Sequence, residues 1–105
     1  MHSFTIVVDN YNEEKLEAAW GLSILIETQE AKILFDTGPS SSILESNLKY
    51  LGINPDIIDC VVISHEHSDH ASGLRYIAKA LPGIDVYVPQ PSVKFFKKKF
   101  NGLKI

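Results

Sequence analysis

Apolar residues occur along this chain in short blocks separated by polar turns, and the pattern predicts alternating strands and helices. The predicted strands are short and rich in β-branched residues, and they cover residues 4–8, 22–27, 32–35, 57–63 and 84–88. The predicted helices carry apolar residues three and four positions apart, and they cover residues 40–50, 71–81 and a segment that starts at 91–92. A helix-favouring stretch at residues 13–19 could form one or two turns or a loop. This order predicts an α/β layered domain.

The ends of these elements carry recognisable signals. Residues 22–27 and 32–35 are separated by four residues, which predicts a hairpin. Three consecutive serines at positions 40–42 can cap the helix that follows, and Gly52 can end it. The apolar run that ends at Ile63 predicts a strand covered on both faces.

Length and charge narrow the class of protein. The 105 residues suffice for one small domain, covering positions 1–105, and the net charge of −3 argues against a nucleic-acid or anionic-membrane partner for the whole molecule. The single cysteine, Cys60, excludes an intrachain disulfide and fits a buried, inert thiol. The sequence shows neither a signal peptide nor an apolar run of the ~20 residues that span a bilayer, so a cytoplasmic protein is expected.

The final 13 residues are unusually basic, since residues 93–105 hold five of the ten lysines and arginines. Two interpretations are open. A basic segment with aromatic residues can bind nucleic acid. Alternatively, the segment is an amphipathic helix with Phe95, Phe96 and Phe100 facing the core and the lysines in water. The acidic net charge favours the amphipathic helix.

The candidate chemistry is concentrated in SHEHSDHASGL, residues 64–74, which holds three of the four histidines of the chain. In an extended segment, residues i and i+2 project to the same side, so His65 and His67 can bind one metal ion together. Asp69 and His70 lie where the chain turns into the next helix, and they can reach a second ion or the other side of the first. Imidazole and carboxylate ligands suit Zn²⁺, Fe²⁺ or Mn²⁺. The alternative, a polar loop with solvated histidines, poorly explains this density of ligands between a strand and a helix.

The segment HEHSDH resembles the His-x-His-x-Asp-His signature of the metallo-β-lactamase-fold superfamily. LFDTG at residues 34–38 is similar to an earlier motif of that family, and WGLSILIE, VVISH and SGL also fit. The resemblance covers roughly residues 4–91. The sequence of these motifs is most similar to the subgroup that includes dihydropterin–aminobenzene phosphate synthase-like proteins.

The resemblance implies a fold and a set of roles. The expected fold is half of a four-layer αββα sandwich, a mixed sheet with helices on one face. His65 and His67 would bind the first metal, and Asp69 and His70 the second. Asp69 would also hold the nucleophilic hydroxide, and Asp36 would orient the metal-binding loop. Zinc is the expected ion, with Fe²⁺ or Mn²⁺ as alternatives.

The chain departs from the family in lacking its later ligands. No histidine follows His70, and the only later acid is Asp85. His65 and His67 alone leave a tetrahedral site two ligands short. We therefore expect a truncated first half of the domain, whose apolar sheet face is covered by a second copy in a homodimer or by a complementary second-half chain.

Two functions follow from this sequence. The first is a metal-dependent hydrolase that acts on an ester or phosphoester-type bond of a small-molecule substrate and is incomplete in this chain alone. The second is a non-catalytic half-domain that pairs with another chain and binds metal weakly or not at all.

Overall fold

The computed structural model of the chain describes residues 3–8, 22–64, 71–100 and 104–105. Within these ranges the strands are β1 (Ser3–Val8), β2 (Ser23–Glu27), β3 (Lys32–Phe35), β4 (Cys60–Val62) and β5 (Asp85–Tyr87). The helices are α1 (Ser41–Tyr50), α2 (Leu74–Ala80) and α3 (Val93–Lys99), with 3₁₀ turns at Pro55–Ile57 and Gln90–Ser92. The prediction for residues 13–19 lies outside the described residues.

The five strands form one mixed sheet in the order β1-β2-β3-β4-β5. β1, β2 and β3 pair antiparallel, which confirms the predicted hairpin. β3, β4 and β5 pair parallel, and α1 and α2 lie in the two connections between them. The carboxyl ends of β3 and β4 therefore lie side by side at one edge of the sheet.

One face of the sheet is covered by the helices. Leu25, Leu34, Val61 and Val86 stand opposite one another across four strands, and all are buried. Their side chains belong to one hydrophobic core with buried residues from all three helices: Leu44, Leu48, Leu74, Ile77 and Phe96. The predicted arrangement, a mixed sheet with helices on one face, is confirmed.

The opposite sheet face is apolar, and no described helix packs on it. Side chains alternate between faces along a strand, so the neighbours of the buried row point to this second face. Three of them are strongly exposed: Phe4 at 70%, Tyr87 at 58% and Ile6 at 45%. Contiguous exposed apolar surface is typical of an interaction site. A partner on this face remains a prediction.

The signals at the start and end of α1 act as predicted. The Ser40 side chain accepts a hydrogen bond from the Ile43 amide, which makes Ser40 the N-cap. After the helix, Gly52 adopts a left-handed backbone with φ of 73°, and the next amide, that of Ile53, donates to the Leu48 carbonyl.

The fourth strand is shorter than the pattern predicted, because local polar contacts fold its first half into a turn. The Asn54 side chain accepts a hydrogen bond from the Asp56 amide, and Pro55 begins the 3₁₀ turn. Regular pairing starts only at Cys60. Likewise, α2 begins at Leu74 rather than at residue 71, and α3 begins at Val93 after a 3₁₀ turn.

The prediction that three phenylalanines of the last helix face the core is wrong for one of them. Phe96 and Phe100 are buried, whereas Phe95 is 39% exposed. Residues 96 and 100 are four apart and share one side of the helix, while residue 95 lies about 100° away. The lysines of this helix are exposed, as expected.

Candidate metal centre

Asp36 lies at the carboxyl end of β3 and fixes the residue that precedes the histidine motif. Its carboxylate accepts two hydrogen bonds from Ser64, one from the backbone amide at 2.7 Å and one from the hydroxyl at 2.7 Å. Its own amide donates to the Val62 carbonyl at 2.8 Å, and its carbonyl accepts from the Ser23 hydroxyl at 2.8 Å. Asp36 thus connects β2, β3 and the end of β4.

The backbone of Asp36 adopts a conformation that few residues other than glycine enter. Asp36 is fully buried, and its φ of 58° places it in the left-handed region. Asp and Asn are the non-glycine residues that enter this region most readily, because their short polar side chains bond locally. This conformation turns the chain at the end of β3 and brings the carboxylate within hydrogen-bonding distance of Ser64.

The other end of the motif is attached to the same loop. Gly38 forms a parallel bridge with Ala71, and its carbonyl accepts a hydrogen bond from the Gly73 amide at 3.1 Å. A β-carbon at Gly73 would overlap the carbonyl oxygen of Thr37, so only glycine permits this close approach. Gly38 itself has φ of 76° and packs against Val8.

The start of α2 is fixed by a side chain from α1. The Ser41 hydroxyl accepts a hydrogen bond from the Tyr76 amide at 3.0 Å and donates to the Ser72 carbonyl at 3.4 Å. The Tyr76 amide also donates to the Gly73 carbonyl at 3.0 Å, so the first turn of α2 is held both by its own backbone and by a hydroxyl from α1. This contact adds a third attachment next to the motif.

Together these contacts hold residues 64 and 71–73 against the loop of residues 36–38. The predicted ligands His65, His67, Asp69 and His70 lie outside the described residues, as does Glu66. Among the residues that the structure does describe, no group of three histidine, cysteine or acidic side chains could hold a metal ion. The described residues thus form the support on either side of the motif rather than the motif itself.

Asp85, the only acid after the motif, lies on β5 and pairs with Lys104 at 3.3 Å. Both side chains are about half exposed or more, so this pair contributes little to stability. Its position in the predicted strand is confirmed.

Sequence reasoning identified Asp36 but missed the residues it works with. Ser64, Gly73 and Ser41 are each at least 28 positions from their partners, and local periodicity does not reveal such contacts. The available signal was position, since Ser64 directly precedes the motif and Gly73 directly precedes α2.

Comparison with known proteins agrees with this arrangement. The family model of the Metallo-beta-lactamase superfamily matches residues 21–104, and the chain belongs to this superfamily. A solved metal-dependent hydrolase of the beta-lactamase superfamily, Tm1679, superposes with a TM-score of 0.70 at 32% identity, over 89% of this chain and 32% of that one. The fold is therefore that of half a metallo-β-lactamase domain, as expected.

Two curated relatives show the range of chemistry within the family. The 7,8-dihydropterin-6-methyl-4-(beta-D-ribofuranosyl)-aminobenzene-5'-phosphate synthase of Methanocaldococcus jannaschii is 43% identical over 58% of this chain and 22% of its own length. The exodeoxyribonuclease WalJ of Streptococcus pneumoniae is 37% identical over 64% of this chain and 24% of its own. The chain spans less than a third of the length of the curated relatives named here. No helix among the described residues is long and apolar enough to cross a membrane.

Proposed function

We propose that this chain carries the metal-binding half of a hydrolase that attacks an ester or phosphoester-type bond. His65, His67, Asp69 and His70 would hold the metal, with zinc as the expected ion and Fe²⁺ or Mn²⁺ as alternatives. The donor set fits such an ion, because neutral imidazole and carboxylate are its usual ligands. Family membership and the metal-dependent hydrolase Tm1679 support this proposal.

The bound ion would lower the pKa of water and polarise the bond to be cleaved. The residues of this chain have simpler tasks. Asp69 would orient the attacking water, and the histidines would hold the ion in place. Asp36 would keep the backbone at Ser64 in one position, so that the first histidine enters the site in a fixed direction.

The observation that carries the proposal is the double attachment of the motif to one loop. Asp36 holds residue 64, and Gly38 holds residues 71 and 73. A solvated polar loop needs no such support, whereas a metal site must keep its ligands close to the geometry of the ion. The left-handed backbone at Asp36 and the close contact of Gly73 with Thr37 both contribute to this attachment.

Metal content and turnover measured on the same preparation test the proposal. The purified chain, reconstituted with zinc, should retain metal after dialysis, and any hydrolysis of bis(p-nitrophenyl) phosphate or of a thioester should depend on that metal. His67→Ala should abolish both, whereas His2→Ala removes a histidine outside the motif and should change neither. Absence of retained metal and of turnover in the unaltered chain would contradict the proposal.

A second function is favoured by the exposed apolar side chains on the second sheet face, on which none of the described helices packs. We propose that Phe4, Ile6 and Tyr87 mark a surface that pairs with a second copy or with a complementary second-half chain. In this case the chain is a pairing module that holds metal weakly or not at all and performs no turnover. The small share of each relative that the chain covers is compatible with this alternative.

Sedimentation analysis at micromolar concentration distinguishes the states of this surface. A homodimer that dissociates on Ile6→Lys would support self-pairing, because the exposed apolar side chain would become a charge in the interface. Lys49→Ile serves as the control, because it replaces an exposed charge of α1 by an apolar side chain and should leave the dimer intact. A stable monomer that still turns over substrate would exclude the pairing module.

A further inference from the structure

The positive charge of this acidic protein is concentrated at one end of the chain. Residues 93–105 carry five lysines and no acid, a charge of +5, whereas residues 1–92 carry five basic and thirteen acidic residues, a charge of −8. The two sum to the net −3 of the chain. The net charge that argued against an anionic partner for the whole molecule therefore conceals a strongly basic region.

Part of this region forms a continuous surface on α3. Lys94 and Lys98 lie four residues apart on α3, Phe95 and Lys98 three apart, and Phe95 and Lys99 four apart. Each of these residues therefore has a neighbour on the helix surface, and all four are exposed. We call these four residues the basic face. Phe96 and Phe100, four residues apart, occupy a different side of the helix and are buried in the core. The core therefore anchors the helix and presents the basic face to solvent.

Phe95 is the feature that an ordinary amphipathic helix does not explain. Lysines in the last turn stabilise a helix through its dipole, so their presence alone does not indicate a binding function. A phenylalanine that is 39% exposed gains less from burial than a core residue does. Its ring is held edge-on against Phe96 with centroids 5.3 Å apart, and the Lys99 ammonium lies 5.4 Å from its centroid.

The basic face continues to the start of α2. The buried Phe100 ring has two cations against it: the Lys99 ammonium at 5.9 Å from the centroid and the Arg75 guanidinium at 5.8 Å. Arg75 is exposed and is the second residue of α2. A row of positive charge therefore leads from α3 to the first turn of α2.

We propose that the basic face and Arg75 form a binding surface for single-stranded nucleic acid. Lysines and arginine would neutralise successive phosphates, and the Phe95 ring would stack with a base. An exposed aromatic ring between cations matches a chain in which bases alternate with phosphates, whereas a free phosphate would need only the cations. Binding of nucleic acid at this surface does not depend on the proposed function. Only the delivery of a bound phosphodiester to the motif rests on the proposed function.

Fluorescence anisotropy of a labelled thymidine oligonucleotide, in EDTA and at several salt concentrations, tests this surface without turnover. We expect binding that weakens as salt rises. Replacing both Lys98 and Lys99 by Gln should weaken it and reduce the slope of log K against log salt by about 1.4, twice the ~0.7 per phosphate of single strands. Phe95→Leu should weaken binding about tenfold with the slope unchanged. The pair Lys32→Gln and Lys49→Gln removes the same charge on β3 and α1 and should leave binding unaltered.

Three outcomes would overturn the proposal. They are no binding at low salt, an equal loss in the control pair, and stronger binding to vesicles of anionic phospholipid than to the oligonucleotide. The vesicle result would identify a membrane surface instead. Circular dichroism of each variant confirms its fold. Oligonucleotide binding by a chain that retains no metal and hydrolyses no phosphodiester would contradict the proposed function alone. Metal retention without oligonucleotide binding would contradict this inference alone.

Discussion

Replacing Asp36 by Asn isolates the contribution of one buried charge to the support of the motif. Asn keeps the size of the side chain and tolerates the left-handed backbone at φ of 58°, so the change removes mainly the negative charge. The carboxylate accepts two hydrogen bonds from Ser64, both at 2.7 Å. Hydrogen bonds to a charged group are roughly twice as strong as neutral ones, which contribute about 1 kcal/mol each.

The two bonds together predict a loss of about 2 kcal/mol in the free energy of unfolding. For a domain of this size that lowers the melting temperature by roughly 8–16 °C. The assay is thermal unfolding of the metal-free chain in EDTA, followed by circular dichroism. Because the metal is absent, the shift reports only the contacts of Asp36 and not the loss of a ligand.

Asp59→Asn is the matched control. The Asp59 carboxylate also accepts a backbone amide, that of Lys32 at 2.7 Å, but at an exposed position. Water can replace that bond, so we expect a loss below about 1 kcal/mol. Equal shifts for the two variants, or an unchanged melting temperature for Asp36→Asn, would refute the reasoning that burial makes the Ser64 contacts strong.

Further predictions concern the helix entry, the sheet face and the core. Gly73→Ala should weaken zinc binding in a competition titration, because the new β-carbon would overlap the Thr37 carbonyl. The control is Gly52→Ala, at a glycine with φ of 73° and open space around it. This control should lower the free energy of unfolding by about 1–2 kcal/mol and leave zinc affinity unchanged. Equal zinc affinities for both variants would contradict the positioning role of Gly73. The Cys60 thiol is only partly buried, not fully buried as the sequence suggested. Its partial burial, with smaller contributions from Asp59 and Asp85, raises its pKa above the ordinary value. Alkylation by iodoacetamide at pH 7 should therefore be slower than for free cysteine and should accelerate as the pH rises, and a rate equal to that of free cysteine would count against it. Leu34→Ala should destabilise the chain by about 2–5 kcal/mol in urea unfolding, since its side chain is fully buried in the centre of the core, and a loss below 1 kcal/mol would contradict that placement.

The local features of the fold could be predicted from the sequence, because their causes are local. The bounds of β2, β3 and α1 follow from apolar spacing and from Ser40, and the structure agrees with them to within a residue. The error in β4 arose from the polar contact between Asn54 and Asp56, which folds the chain into a turn before pairing can begin. A run of apolar residues alone does not reveal that competition.

The exposure of Phe95 shows an error of another kind. Its position one residue from Phe96 already excludes a shared side of the helix, since only residues three or four apart lie together. Net charge does not reveal the basic face, because it averages a basic carboxyl-terminal segment with an acidic remainder. Helix geometry and local charge, applied to residues 93–100, indicate the basic face directly.

The ligand set of the candidate site stays a prediction from the sequence, and the contacts that support the motif could not be predicted from it. The spacing of the histidines suggested a metal, and the resemblance suggested a role for Asp36. The contacts from Asp36 to Ser64 and from Thr37 to Gly73 depend on the parallel pairing of β3 with β4. Such pairing joins residues that are 28 or more positions apart, and neither local propensity nor periodicity specifies it.

The most direct test of a metal-dependent hydrolase is the metal content of the chain itself. Elemental analysis of the protein, purified without chelator and dialysed, should find about one zinc, iron or manganese ion per chain, and His67→Ala should lose that metal while keeping its circular dichroism spectrum. A folded, unaltered chain that retains no metal, or a His67→Ala variant that retains as much as the unaltered chain, would contradict the assignment of the histidine motif as a metal site.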